Sequence, residues 1–257
     1  MSQPTEVYLD SLVLSENADG ASSVVVVCEH ASHYIPAPFD NLGLAQEELK
    51  SHAAWDPGAL AVASRLAKKL DAPLIASGVS RLVYDCNRPP TAQDAMPTRS
   101  EVIDVPGNRD LSQADRDART KAYYRPFQTA LKQAVKAVAD PVIVTVHSFT
   151  PIYHGVARAV EIGILHDSDA RLADAMLEIA QAHTDANVQR NAPYGPDHGV
   201  THTLKEHAIK GGHLNVMLEV RNDLIVTSDE QAAMADMLAG WVADACTRVQ
   251  AKGVVEC

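Results

Sequence analysis

The chain has 257 residues, 46% of them hydrophobic and 21% charged, which is enough for one large buried core and excludes disordered or collagen-like classes. A formal charge of -11 excludes a broad electrostatic footprint for nucleic acid or an anionic membrane, because phosphate neutralisation needs clustered Lys and Arg. A local basic pocket for a small anion stays compatible with that charge.

From the amino terminus, residues 1–21 place acidic groups where a secretory leader has basic ones, and read as an extension of a single domain spanning 1–257. No stretch approaches the roughly 20 apolar residues of a membrane span, so the reading is a cytoplasmic protein with no membrane partner. Apolar β-branched runs predict strands over 23–28, 73–77, 81–85, 142–146, 160–165 and 214–220. Helical periodicity falls between them. It covers "DPGALAVASRLAKKL" from Asp56, then 112–139 opening on Ser112 and Asp115, then 170–183, and finally 229–249 opening on Ser228 and Asp229. Residues 86–111 hold four prolines and no period, and so form a long loop that is either functional or disordered. The alternation predicts a single-domain α/β fold with a mixed, mostly parallel central sheet flanked by helices. Cys28, Cys86, Cys246 and Cys257 show no CxxC spacing and suggest a reducing compartment.

Such sheets carry ligands at the carboxyl ends of their strands. Here those ends are rich in chemistry: Glu29 and His30 after the first strand, Asp85, Asn87 and Arg88 after 81–85, His147 and Ser148 after 142–146, and Glu219, Arg221 and Asp223 around the last. Any one of them is readily a solvated or capping residue, and a carboxylate near an Arg is usually an ion pair. Together they match a divalent metal such as zinc, which takes imidazole nitrogen and carboxylate oxygen from separate loops. Strand parity puts His147 on the face of Ile143 and Thr145, and Glu219 on that of Asn215 and Met217, so the two are expected to converge.

Seven blocks in order, "VVVVCEHASHYIP", "HAAWDPGA", "SRLVYDCNRP", "VPGNRDLS", "VHSFTP", "RAVEIGILHD" and "MLEVRNDLI", resemble the N-formylglutamate amidohydrolase family over about residues 22–245. That family is similar to the zinc carboxypeptidases, a phosphorylase/hydrolase-like fold with a mixed eight-stranded sheet. The resemblance implies one zinc ion, or another divalent transition metal, and hydrolysis of an amide in a small N-acyl amino acid. It implies His30, Asp56 and His147 as metal ligands, with Asp56 replacing the Glu of a His-x-x-Glu motif that this sequence lacks. It implies Asn87 and Arg88 as the pair that binds a substrate carboxylate, and Glu219 as the base.

Other residues admit readings of their own. Asp56 before Pro57 is a ligand or a helix cap. Glu29 ligates, orients His30 or faces solvent, and His33 and His52 support the site or are solvated. Cys28 and Cys86 read as buried apolar groups. His198, His202 and His207 sit in a lid or a polar connection, with His202 the one expected to reach substrate. Arg158 binds a carboxylate or forms a surface ion pair; Arg221 holds a second carboxylate or orients Glu219. Arg109 and Arg119 are at most anion contacts. The function expected is metal-dependent cleavage of an N-acyl, above all N-formyl, acidic amino acid. The competing readings are a metallopeptidase or deacylase with a larger acyl group and a non-catalytic anion-binding module.

Overall fold

A computed structural model describes residues 12–254. Seven strands form the central sheet: β1 (Val13–Glu16), β2 (Val24–Cys28), β3 (Leu74–Ser77), β4 (Val142–Phe149), β5 (Ile162–Leu165), β6 (Val188–Arg190) and β7 (Asn215–Arg221). Their order is β1-β3-β2-β4-β7-β5-β6, in which β1 against β3 and β7 against β5 are antiparallel and the remaining pairs parallel. The expected α/β architecture is therefore present. The sheet has seven strands among the described residues where the resemblance implied eight.

Central strands buried on both faces need continuous apolar runs, which is why Val24, Val25, Val26 and Val27 all lie in the core. Odd and even positions then separate two layers. Val24, Val26, Val144, Val146, Val216 and Leu218 pack under helices α1 (Ala59–Lys69), α3 (Arg171–His183) and α4 (Ser228–Arg248). Val25, Val27, Ile143 and Met217 pack on the opposite layer against Phe127 and Leu131. Those two belong to α2, which runs from Gln113–Arg119 through a π-helical turn at Thr120–Tyr124 into Arg125–Ala137. Pro126 supplies the cause of that turn, since its ring cannot coexist with a regular α-helical carbonyl four residues earlier.

Three local expectations change. Residues 81–85 are not a strand: the amides of Val83 and Tyr84 donate back to Ser80 O at 2.9 and 3.3 Å, and that of Asp85 to Ala95 O at 2.8 Å. These bonds turn the chain instead of extending a ladder. The cap of α4 is Thr227, whose hydroxyl accepts from Glu230 N, one residue before the expected start. Part of the expected N-terminal extension is the edge strand β1; residues 1–11 and Cys257 lie outside the described residues. Among the described residues no helix is long and apolar enough to cross a membrane.

Gly163, paired with Glu219 across β5 and β7, has no room for a side chain, since a Cβ there would sit 2.0 Å from Ala192 O. Gly163→Ala is expected to destabilise the fold by about 1–3 kcal/mol or more, read as a lower midpoint of denaturant unfolding.

Candidate metal centre and active-site cavity

His30 leaves β2 directly, and the turn that follows is tied back by Asp56 N donating to His30 O at 2.9 Å. This brings the Asp56 carboxylate over the sheet edge. Its Oδ2 lies 3.3 Å from His30 Nδ1 and 2.8 Å from His147 Nδ1, and also accepts from Ser148 N at 3.3 Å. Asp56 does not cap α1, where Gly58 holds the N-cap position with no side-chain cap. The ligand-type atoms of His30, Asp56 and His147 are buried and lie within 4.8 Å of one another, close enough to converge on one ion.

The far nitrogen of each imidazole meets a carboxylate. His30 Nε2 lies 2.7 Å from Asp85 Oδ1, and His147 Nε2 lies 3.1 Å from Glu29 Oε2, an ion-pair distance whose angle falls outside hydrogen-bond geometry. Such outer carboxylates fix the tautomer and ring orientation of a metal-binding histidine. Glu29 thus faces His147, and Asp85 supports His30. Burial opposes ionisation of Asp85, but His30 and Arg81 outweigh it and hold its carboxyl well below the usual range. Burial likewise disfavours a charged His147, yet Glu29 and Asp56 raise it well above an ordinary imidazole. The arrangement favours positive charge, whether proton or divalent cation.

Glu219 stands beside His147 in register on the parallel strands β7 and β4. It is 5% exposed, and its Oε2 is buried with no hydrogen-bond partner. Burial, opposed by His147 and reinforced by Asp56, raises its carboxyl to about 7. An orphaned carboxylate oxygen next to a His-Asp-His group fits a site that holds a cation and a polar reactant. The group opens on a cavity of about 270 Å³ lined by His30, Asp56, Arg81, Arg88, His147 and Glu219.

The sequence model of the N-formylglutamate amidohydrolase family matches residues 22–226. The chain belongs to this family. A gene product of Agrobacterium tumefaciens with a solved structure is 52% identical, with a TM-score of 0.92 over 96% of this chain and 98% of its own. N-formylglutamate amidohydrolase from Ralstonia eutropha is 18% identical, with a TM-score of 0.70 over 93% of this chain and 98% of its own, a likeness of fold. No curated protein sequence matches significantly.

In this N-formylglutamate amidohydrolase family chain, His30, Asp56, His147, Asn87, Arg88 and Glu219 all line the one cavity. Asn87 also anchors the segment above it: its side-chain amide donates to Val200 O and its carbonyl accepts from Thr203 N. Arg88 donates to Asp94 and to Gly199 O, and its Nη2 has no partner among the described residues. Three expected substrate contacts do not line the cavity. Arg158 is stacked behind it on Phe149, Tyr153 and Tyr194, rings that do. The Arg221 guanidinium is held by Asp223 and Glu161 instead of facing Glu219. His202 lies 2.7 Å from the Tyr124 hydroxyl, and His198 lines the cavity in its place. Arg119 is a structural tie, donating to Asn108 Oδ1, and Arg109 pairs with exposed Asp104.

Arg81 joins the site without any sequence motif to mark it. It spans the site, donating to Asp56 Oδ1 at 3.4 Å and Asp85 Oδ2 at 3.1 Å. Its only local signal is a cation four residues before Asp85. Cys28 and Cys86 are buried with thiols pushed up by burial, as expected of inert core groups.

Proposed function

We propose that the chain is a zinc-dependent hydrolase that cleaves an N-formyl acidic amino acid, such as N-formylglutamate, into formate and the free amino acid. The observation that carries this reading is the pairing of Glu219 with His147 in register, which sets an unpartnered carboxylate beside the His30-Asp56-His147 group. His30, Asp56 and His147 would hold a zinc ion, which would supply Lewis acidity toward the scissile carbonyl and an attacking water. Glu219 takes a proton from the attacking water and returns it to the leaving amine. Arg81, fixed between two carboxylates in the cavity wall, stabilises negative charge developing on the carbonyl oxygen. Arg88 holds a substrate carboxylate through Nη2, while Asn87 keeps the 199–203 segment over the cavity.

Two features support this reading over its competitors. A cavity of about 270 Å³ is at the small end for ligand sites, which favours a formyl over a bulky acyl group. Glu29, Asp56, Asp85 and Glu219 are all buried there, and that much negative charge suits an anion-binding module only with a cation among them.

The test is release of amine from a panel of N-formyl, N-acetyl and N-benzoyl glutamates by the metal-loaded protein. Fastest turnover of the formyl compound is expected, and preference for the benzoyl compound would overturn the acyl assignment. For Arg88→Lys, loss of the planar fork is expected to lower kcat/KM by about 10- to 100-fold. Unchanged kinetics on the best substrate would remove Arg88 from that role.

A further inference from the structure

An acidic N-formyl amino acid carries two carboxylates, and the proposed reading gives Arg88 to only one of them. Among the cationic side chains lining the cavity, Arg81 pairs with Asp56 and Asp85 and is already assigned to the scissile carbonyl oxygen, and His30 and His147 face Asp56. His198 is exposed, on the short turn Pro196–His198, with its Nδ1 accepting from Gly195 N. His52 remains.

His52 is held from one side by a built device. Its Nε2 lies 2.6 Å from Glu101 Oε2, and the other oxygen of Glu101 accepts from His154 N at 2.8 Å. Both carboxylate oxygens are therefore in use, and the Glu101 side chain is only 10% exposed. Glu101 sits at the tip of the hairpin formed by Arg99–Ser100 and Ile103–Asp104, with a left-handed φ of 51°. An L-residue other than Asn or Asp is uncommon there, so this position is maintained against local preference. The hairpin and the neighbouring one at 152–157 are thus pinned together around the imidazole. With Nε2 on Glu101, the ring nitrogen left without a partner among the described residues is Nδ1, and the ring lines the cavity with 30% of its side chain exposed.

We propose that the His52–Glu101 pair recognises the second, side-chain carboxylate of the substrate, with His52 Nδ1 donating to it and Glu101 positioning the ring. This inference rests on the N-formyl amino acid reading above and adds to it the residue that selects an acidic side chain. Donation in both directions requires the imidazolium form of His52, with Nε2–H on Glu101 and Nδ1–H on the substrate, and a site built to hydrogen-bond a charged group rejects the analogue that lacks it.

The experiment compares N-formyl-L-glutamate with N-formyl-L-glutamine, its uncharged near-isostere, in the zinc-loaded protein. Wild type is expected to prefer the glutamate by about 10- to 100-fold in kcat/KM, the range of one charge-assisted hydrogen bond. In His52→Gln that preference should collapse toward unity, with the loss falling mainly on KM for the glutamate. Glu101→Gln should move the ratio the same way, and Glu101→Asp should recover part of it, which a merely structural role at a hairpin tip does not predict. Thermal melting of each variant separates loss of selectivity from loss of fold. A His52→Gln protein that keeps the wild-type preference, or loses rate equally on both substrates, overturns the role of His52 and leaves the deformylase reading standing. A wild-type protein that releases formate from neither compound overturns both.

Discussion

Glu219→Gln is expected to lower kcat by about 10²- to 10⁴-fold, or roughly 3 to 5 kcal/mol of barrier, while zinc content and substrate affinity are kept. The amide has the shape of the acid and still accepts a hydrogen bond, but it does not take a proton from water at neutral pH. Glu219 is suited to that transfer because burial, with Asp56 adding to it against His147, raises its carboxyl to about 7. A base poised near neutrality both takes and returns a proton. The simpler role, an ion pair with Arg221, is removed by the partners Arg221 has in Asp223 and Glu161. The profile to look for is an equal fall in kcat and kcat/KM, which marks an interaction made only in the transition state. Activity within a few-fold of wild type would make Glu219 structural and move the search for the base elsewhere in the cavity.

His30→Ala is expected to abolish stoichiometric zinc binding, a larger loss than the roughly 10- to 100-fold that removal of a supporting hydrogen bond costs. Asp56→Ala should do the same, because its carboxylate faces the histidines and does not cap the helix. His147→Ala should lose zinc too, but it is the less clean variant. His147 is the main neighbour that offsets the charge of Glu29, a carboxylate 0% exposed, with Thr203 and His30 the lesser ones, and an unpaired buried charge costs up to about 3 to 5 kcal/mol. Asp85, by contrast, keeps Arg81 at 3.1 Å and Asn87 N at 2.9 Å when His30 is removed. His30→Ala is therefore expected to stay folded without metal, and His147→Ala to melt earlier as well. Full zinc occupancy by elemental analysis in His30→Ala would remove that residue from the ligand set.

The convergence of His147 and Glu219 was legible because strand parity has a period of two residues and both lie on uninterrupted apolar strands. His30 and Asp56 were legible through the order of sequence blocks. The failures share a different origin. Arg81 to Asp85 has the apolar and β-branched content of a strand, but where its amides bond is settled by Ser80 and Ala95, which composition does not reveal. Arg81 and the His52–Glu101 pair acquire meaning only from partners many residues away or across a hairpin, and no local period marks them. His202 and His198 sit in the same polar segment, and which one faces the cavity depends on the turn Pro196–His198 and the bonds of Asn87 to Val200 and Thr203. The edge strands β1 and β6 are short and half exposed, so they lack the apolar run that identifies a central strand.

Under the proposed function, catalysis depends on a metal held by His30, Asp56 and His147. The direct measurement is formate release from N-formyl-L-glutamate by protein stripped with a chelator and then titrated with zinc. No turnover is expected in the stripped protein, and activity should rise linearly to a plateau at stoichiometric zinc, with no such recovery in His30→Ala. Undiminished turnover by the wild-type protein after its metal has been removed, verified by elemental analysis, would contradict it.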